Sequence, residues 1–228
     1  MTDSNKHRPI RSFVLRPGRM TAGQRKALDE NWQVWGLAKE SGLLDPRRAF
    51  GRPGPLVLEI GFGMGRSLVE MAAAAPQINY IGIEVHRSGV GKLMRGMAAA
   101  GIDNIRVYRD DAVVVLTECV ADASLDGVQI FFPDPWHKKR HYKRRLIQAP
   151  FVQMLCAKLK PDGFLHLATD WENYAEQMLE VLNENEALKN ISASGDYVER
   201  PAHRPLTKFE QRGQRLGHGV WDLLYQRC

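Results

Sequence analysis

Three observations predict a doubly wound α/β fold with a mostly parallel sheet and helices on both faces. Short apolar runs that read as buried strands alternate with stretches of helical periodicity. A glycine-rich turn joins the first such strand to the first helix, and acidic residues recur at or near strand carboxyl ends. At 228 residues with 44% hydrophobic content, the chain is long enough for one such domain with a substantial core.

Residues 1–50 differ in character, holding Arg8, Arg11, Arg16, Arg19, Arg25 and Lys26 among prolines and glycines. Apolar periodicity there is confined to Leu28, Trp32 and Trp35. A basic, partly flexible extension is expected, followed by a short helix or two, and it reads equally as a tail or as an extra RNA contact. GRPGP at 51–55 punctuates the chain and opens the main domain, 51–228.

Leu56–Ile60 forms the first expected strand, Gly61, Gly63 and Gly65 a tight loop, and Ser67–Ala75 a helix with apolar Leu68, Val69, Met71 and Ala72. The glycines let a ligand approach the backbone at the helix N-terminus. Their spacing is GxGxG, Arg66 stands where a third dinucleotide-type glycine would fall, and no GK[ST] follows, so phosphate-based readings lose ground. The next strand, Tyr80–Ile83, ends at Glu84, where related folds place an acid that accepts from ribose hydroxyls. Val90, Leu93, Met94 and Met97 then share one helical face that stops near Gly101, which makes those methionines core. A strand at Ile105–Tyr108 runs into Asp110 and Asp111. With Glu59 and Asp134 these acids gather where open α/β sheets bind ligands; helix capping is the simpler alternative.

The most informative stretch is GVQIFFPDPWHKKRHYKRR, from Gly127 to Arg145. Val128–Phe132 reads as a strand stopped by Pro133, and Pro133 and Pro135 stiffen the backbone around Asp134. Lys138, Lys139, Arg140, Lys143, Arg144 and Arg145 then crowd one loop with Trp136 and Tyr142 among them. That density calls for solvent or an anionic partner, and aromatic faces among cations suit phosphates and bases. His137 and His141 read as loop hydrogen-bonders. Downstream, Leu146–Leu159 reads as a helix, KPDG at 160–163 as a turn, and Phe164–Thr169 as a strand ending at Asp170, with His166 a satisfied core residue. A helix bearing Tyr174, Met178, Val181 and Leu182 follows, then TKFE at 207–210 and a closing strand near Val220–Gln226.

Net charge is +6, which favours an acidic partner such as nucleic acid. Cys119, Cys156 and Cys228 are odd in number and lack metal-ligand spacing, so neither a disulfide framework nor a metal is expected. No apolar run approaches a membrane span and no signal-type segment opens the chain, so a cytoplasmic location is expected. Acids rather than lysines around the glycine loop argue for a cofactor without a pyrophosphate. S-adenosylmethionine fits, with ribose hydroxyls and an adenine amino group to donate and a cationic ammonium and sulfonium that carboxylates tolerate.

LEIGFGMG, YIGIEVH, FFPDPWHKKRHYKRR, ATDWENYA and TKFEQRG resemble, in the same order, the motifs of the bacterial tRNA (guanine-N7)-methyltransferases, which have the Rossmann-like class I methyltransferase fold. The resemblance implies S-adenosylmethionine binding at Glu59, Glu84, Asp111 and Asp134, with Asp134 the catalytic candidate. It implies substrate contacts at Lys138, Asp170, Thr207, Lys208, Phe209 and Glu210, and an RNA-interacting loop of Arg140, His141, Tyr142, Lys143, Arg144 and Arg145. The implied partner is tRNA and the implied target guanine 46 of its variable loop. Guanine N7 carries an in-plane lone pair and no proton, so Asp134 is expected to align the reactants rather than to act as a base. On the residues alone, a nicotinamide-dependent oxidoreductase, a non-catalytic RNA-binding protein and a methyltransferase with an adenine or protein target remain open.

Overall fold

The computed structural model describes residues 11–14, 19–207, 210 and 219–228. Regular structure begins well before residue 51. Helix α1 (Ala22–Trp35) starts at a capping box in which the Gln24 amide donates to Thr21 Oγ1 and the Thr21 amide to Gln24 Oε1. It leads into β1 (Gly36–Leu37) and, through a 3-10 turn, to α2 (Pro46–Phe50). Three βα units follow: β2 (Leu56–Ile60) with α3 (Arg66–Ala74), β3 (Asn79–Ile83) with α4 (Arg87–Ala100), and β4 (Ile105–Tyr108) with α5 (Ala112–Glu118). Then come β5 (Leu125–Phe131), a 3-10 segment at Lys139–Arg144, α6 (Ala149–Lys158), β6 (Leu159–Thr169), α7 (Glu172–Asn183), β7 (Leu188–Asn190) and β8 (Trp221–Arg227).

The strands make one sheet in the order β1-β4-β3-β2-β5-β6-β8-β7. All pairs from β1 to β6 are parallel, while β8 runs antiparallel to both β6 and β7. Alternate residues of β2 serve two separate cores. Leu56, Leu58 and Ile60 join one with Phe151, Leu155 and Tyr174, whereas Val57 joins the other with Leu68, Leu93 and Met94. The methionines expected in the core are there, Met94 and Met97 being fully buried. Gly65, at φ 72°, turns the chain from the glycine loop into α3, and a side chain there would meet Leu93 Cδ1 at 2.5 Å.

Several boundaries differ from expectation for identifiable reasons. β1 pairs with β4, Gly36 opposite Val107, and a side chain at Gly91 of α4 would strike the Gln24 carbonyl of α1 at 2.5 Å. The expected division at residue 51 therefore does not separate α1 and β1 from the sheet. The helix expected at Leu146–Leu159 starts only at Ala149, with Gln148 extended at the N-cap and Pro150 in the first turn, where its missing N–H and fixed φ are tolerated. KPDG is carried as an irregularity within β6, where pairing jumps from Leu125–Leu159 to Gly127–Phe164. Asp162, at φ 63°, makes the bend. Among the described residues no helix is long and apolar enough to cross a membrane.

Gly89 in the first turn of α4 lies so close to the glycine loop that a Cβ would sit 2.2 Å from the Gly63 carbonyl oxygen. Gly89→Ala is therefore expected to destabilise the fold by about 1–3 kcal/mol through overpacking. Urea denaturation checks this, and a midpoint unchanged from the parent would show that the loop yields freely.

Candidate functional site

The site grows from the end of β5. Phe132 adopts φ 53° and Trp136 φ 48°, a backbone region that bulky residues rarely occupy. The Phe132 amide still donates to the Ala168 carbonyl at 2.8 Å, so the chain leaves the sheet abruptly after it. Asp134 is thus held between two left-handed residues as well as two prolines, and it is exposed. Proline stiffness was legible in advance; the two positive φ angles were not.

A cleft of about 250 Å3 opens at the carboxyl ends of β2 to β5, lined by Gly61, Glu84, Asp110, Asp111, Phe132 and Asp134 among others. Glu84 is fixed at both oxygens, Oε2 accepting from the Gly63 amide at 2.9 Å and Oε1 from the His86 amide at 3.0 Å. Each oxygen keeps a second lone pair for a ligand hydroxyl. Asp111 caps α5 by accepting from the Val113 amide at 3.0 Å, and it also faces the cleft, so capping and lining coexist. Asp110 accepts from the Asp111 amide and pairs with Lys39 at 3.1 Å.

Two expected cofactor residues lie elsewhere. Gly63 supports Glu84 but does not line the cleft. Glu59 is 3% exposed within β2, opposite Gly82 on one side and Gln129 on the other. Its Oε2 has no hydrogen-bond partner, nor does Gln129 Oε1, and burial pushes its carboxyl up to about 8. Strand alternation explains the difference, since a residue one place before the strand end points into the sheet face instead of the crevice.

The basic loop divides into a buried and an exposed part. Arg145, expected to touch RNA, is 3% exposed. It donates to the Pro135 carbonyl at 2.9 Å, to Gln177 Oε1 at 2.6 Å and to Asn173 Oδ1 at 3.0 Å. Its guanidinium lies 3.6 Å from the Tyr142 ring centroid and 4.7 Å from that of Tyr174. It pins the loop, with four of its five N–H donors engaged inside the protein and its charge turned away from solvent. Lys138, Lys139, Arg140 and Lys143 are exposed. Arg144 sits 4.3 Å over Trp136 and donates to the Arg11 carbonyl. Arg140 donates to His141 Nε2 at 3.3 Å, and partial desolvation with the neighbouring cations Arg140 and Arg144 holds His141 below its usual value.

Asp170 is half-buried and precedes Trp171, which occupies the N-cap position of α7 without a side-chain bond, so Asp170 is not itself the cap. Thr207 and Glu210 form a reciprocal pair: the Glu210 amide donates to Thr207 Oγ1 at 3.1 Å and the Thr207 amide to Glu210 Oε2 at 2.9 Å. Glu210 is 1% exposed. Lys208 and Phe209 lie outside the described residues. His166 is satisfied as expected, Nε2 bonding Asp222 Oδ1 at 2.8 Å.

Sequence reasoning missed Ser12 and Phe13, which line the cleft from the N-terminal side, with Trp136 Nε1 donating to the Ser12 carbonyl at 3.1 Å. It also missed the buried pair Arg204 and Asp222. Only the aromatic Phe13 among basic residues offered a signal. Among the described residues, no group of three His, Cys, Asp or Glu side chains could hold a metal ion.

The donor set suits S-adenosylmethionine: Glu84, Asp111 and Asp134 are acceptors for its hydroxyl, amino and ammonium groups, and among the described residues no lysine or arginine lines the cleft. A family model described as "Putative methyltransferase" matches residues 53–223. The tRNA (guanine-N(7)-)-methyltransferase of Ectopseudomonas mendocina is 58% identical over 99% of this chain and 94% of its own length. That of Marinobacter nauticus is 56% identical over 100% and 99%. The crystal structure of the 16S rRNA methyltransferase KamB is 14% identical, covers 79% of this chain and 91% of its own, and gives a TM-score of 0.58. A 16S rRNA (adenine(1408)-N(1))-methyltransferase from Catenulisporales acidiphilia, solved with its cosubstrate SAM, is 16% identical over 81% of this chain and 92% of its own, with a TM-score of 0.53. These two structural likenesses bear on the fold.

Arg145→Ala is expected to cost about 2–4 kcal/mol in urea denaturation, because it strands several buried partners, while Lys143→Ala stays within about 0.5 kcal/mol of the parent. Equal effects would return Arg145 to the surface. Glu59 has its folded value raised from 4.5 to about 8. The folded chain therefore holds a proton that the unfolded chain releases, and this contribution to stability is lost as pH rises through that window. Glu59→Gln, which mimics the neutral acid, should become more stable than the parent by over about 1 kcal/mol at pH 8, with little gap near pH 4. A gap independent of pH would mean that Glu59 is ionised in the fold.

Proposed function

The chain belongs to the tRNA (guanine-N7)-methyltransferase family, and from that premise we propose that it transfers a methyl group from S-adenosylmethionine to N7 of guanine in tRNA, at guanine 46 of the variable loop. The observation that carries this reading is the meeting, across Pro133–Trp136, of a carboxylate-lined cleft with an exposed cationic loop. When bound, the cofactor supplies an electrophilic methyl group on a sulfonium.

Glu84, already oriented by two backbone amides, accepts from the ribose hydroxyls, and Asp111 accepts from the adenosine end. Gly61 allows close approach of the backbone. Asp134 stands at the mouth of the cleft on a backbone with little freedom. The guanine N7 lone pair needs no deprotonation, so the carboxylate contributes by holding donors of the two reactants in line, an effect worth up to roughly 7–11 kcal/mol in favourable cases. It also faces the positive charge that passes from sulfur to the purine. Lys138, Arg140, Lys143 and Arg144 neutralise tRNA phosphates, with His141 and Tyr142 framing the loop and Asp170, Thr207 and Glu210 bordering the base. A cytoplasmic location fits this substrate.

Incubating the protein with unmodified tRNA and S-adenosylmethionine, then mapping the product, should yield N7-methylguanosine at position 46. Methylation at another atom or position would overturn the assignment. Asp134→Asn is expected to lower single-turnover methylation by about 100-fold or more while cofactor affinity changes less than about threefold. Near-normal turnover would remove Asp134 from its aligning role. Replacing Lys143 and Arg144 together by Ala should make the slope of log K against log salt shallower by about 1–2, since fewer counterions are released. Parallel slopes for the two proteins would show that neither residue meets phosphate.

A further inference from the structure

The largest fully buried side chain in the described residues is Arg204, 1% exposed. Its guanidinium forks onto Asp222, Nε to Oδ1 and Nη2 to Oδ2, both at 2.7 Å. The remaining face donates from Nη1 to Glu210 Oε1 at 2.7 Å. Those bonds join segments distant in the chain. Asp222 belongs to β8 and is itself held by His166 of β6 at 2.8 Å. Glu210, through its second oxygen, fixes the Thr207 amide. The guanidinium also lies 5.5 Å from the ring of Phe132, which lines the cleft two residues before Asp134.

We infer that Arg204 is a positioning residue of the transfer reaction, which holds Thr207 and Glu210 in register with the strand end that carries Asp134. The inference rests on the function proposed above. Burying one cation with two carboxylates is an expensive way to stabilise a core, because apolar side chains of similar volume serve as well or better. Such a cluster does fix geometry: the planar fork satisfies both Asp222 oxygens and Glu210 at once, at angles that a single ammonium cannot reproduce. Thr207 and Glu210 therefore take their place from Arg204, while among the described residues the cofactor side of the cleft, built on Glu84 and Asp111, makes no bond with this cluster.

Arg204→Lys keeps the charge and removes the fork, so it separates geometry from electrostatics. With the full-length protein and unmodified tRNA, we expect kcat/KM for tRNA to fall at least about tenfold, through a lower kcat together with a higher KM. S-adenosylmethionine affinity should stay within about threefold of the parent, and thermal midpoint within a few degrees. A kcat/KM within about threefold of the parent would overturn the inference. So would a loss of activity matched by parallel losses of cofactor affinity and thermal midpoint, the pattern of a merely structural residue. If Arg204→Lys does not fold, Asp222→Asn, which preserves shape and one acceptor, is judged by the same criteria. A parent protein unable to methylate guanine N7 would instead sink the functional reading itself. An active parent with an unaffected variant sinks the role of Arg204 alone.

Discussion

Parallel pairing of β2 with β3 on one side and β5 on the other is the constraint on which the rest depends. Chain order reverses at that strand, so the connections leave towards opposite faces and a crevice opens at the carboxyl edge. Every cleft carboxylate is a consequence. Glu84 is the first residue after β3, Asp110 and Asp111 follow β4 closely, and Asp134 lies three residues past β5. The same pairing buries all of β2, which is why Glu59, an acid inside it, loses its solvent and favours the protonated form.

Neighbouring arginines in the loop have opposite fates for reasons of partnership, not of type. Arg145 finds a backbone carbonyl, two side-chain oxygens and two aromatic faces, enough to compensate for removing its charge from water. Arg144 finds one carbonyl and one ring and remains near the surface. The inward arginine sets the conformation in which the outward cations are displayed. A dense basic run is thus partly its own scaffold, and counting its charges overstates the number available to a polyanion.

What was legible in the sequence follows the range of the forces involved. β2, β4 and the apolar face of α4 declare themselves within a window of a few residues, because burial repeats with the period of the element. Gly101, at φ 64°, likewise ends α4 through a local backbone need. β1 is two residues long and has no pattern to read. Arg145 and Arg204 gave no warning, since a long cationic chain is buried only when acceptors remote in sequence converge on it: Asn173 and Gln177 for the first, Asp222 for the second. Asp111 shows a different limit, because a cap and a cleft residue share one sequence signature when the helix begins at the cleft.

Opposite signs of potential meet at the short linker Pro133–Trp136. An acid-lined cleft and a cationic loop this close would cancel at long range, yet at contact distance each acts on its own ligand before solvent screening, on a scale of about 8 Å at physiological salt, averages them. Asp134 stands on that boundary. Glu84 and Asp111 are turned to the cleft by bonds to their own loops and helix, and the exposed cations of the 3-10 segment are turned to solvent. On the proposed reading, Asp134 is the carboxylate with access to both reactants, and its rigidity then matters more than its basicity. A flexible acid at the same place would follow either partner and align neither. Residues at positive φ on both sides of the Pro-Asp-Pro step make sense in those terms, since the strain they hold is a cost that position, not fold stability, repays.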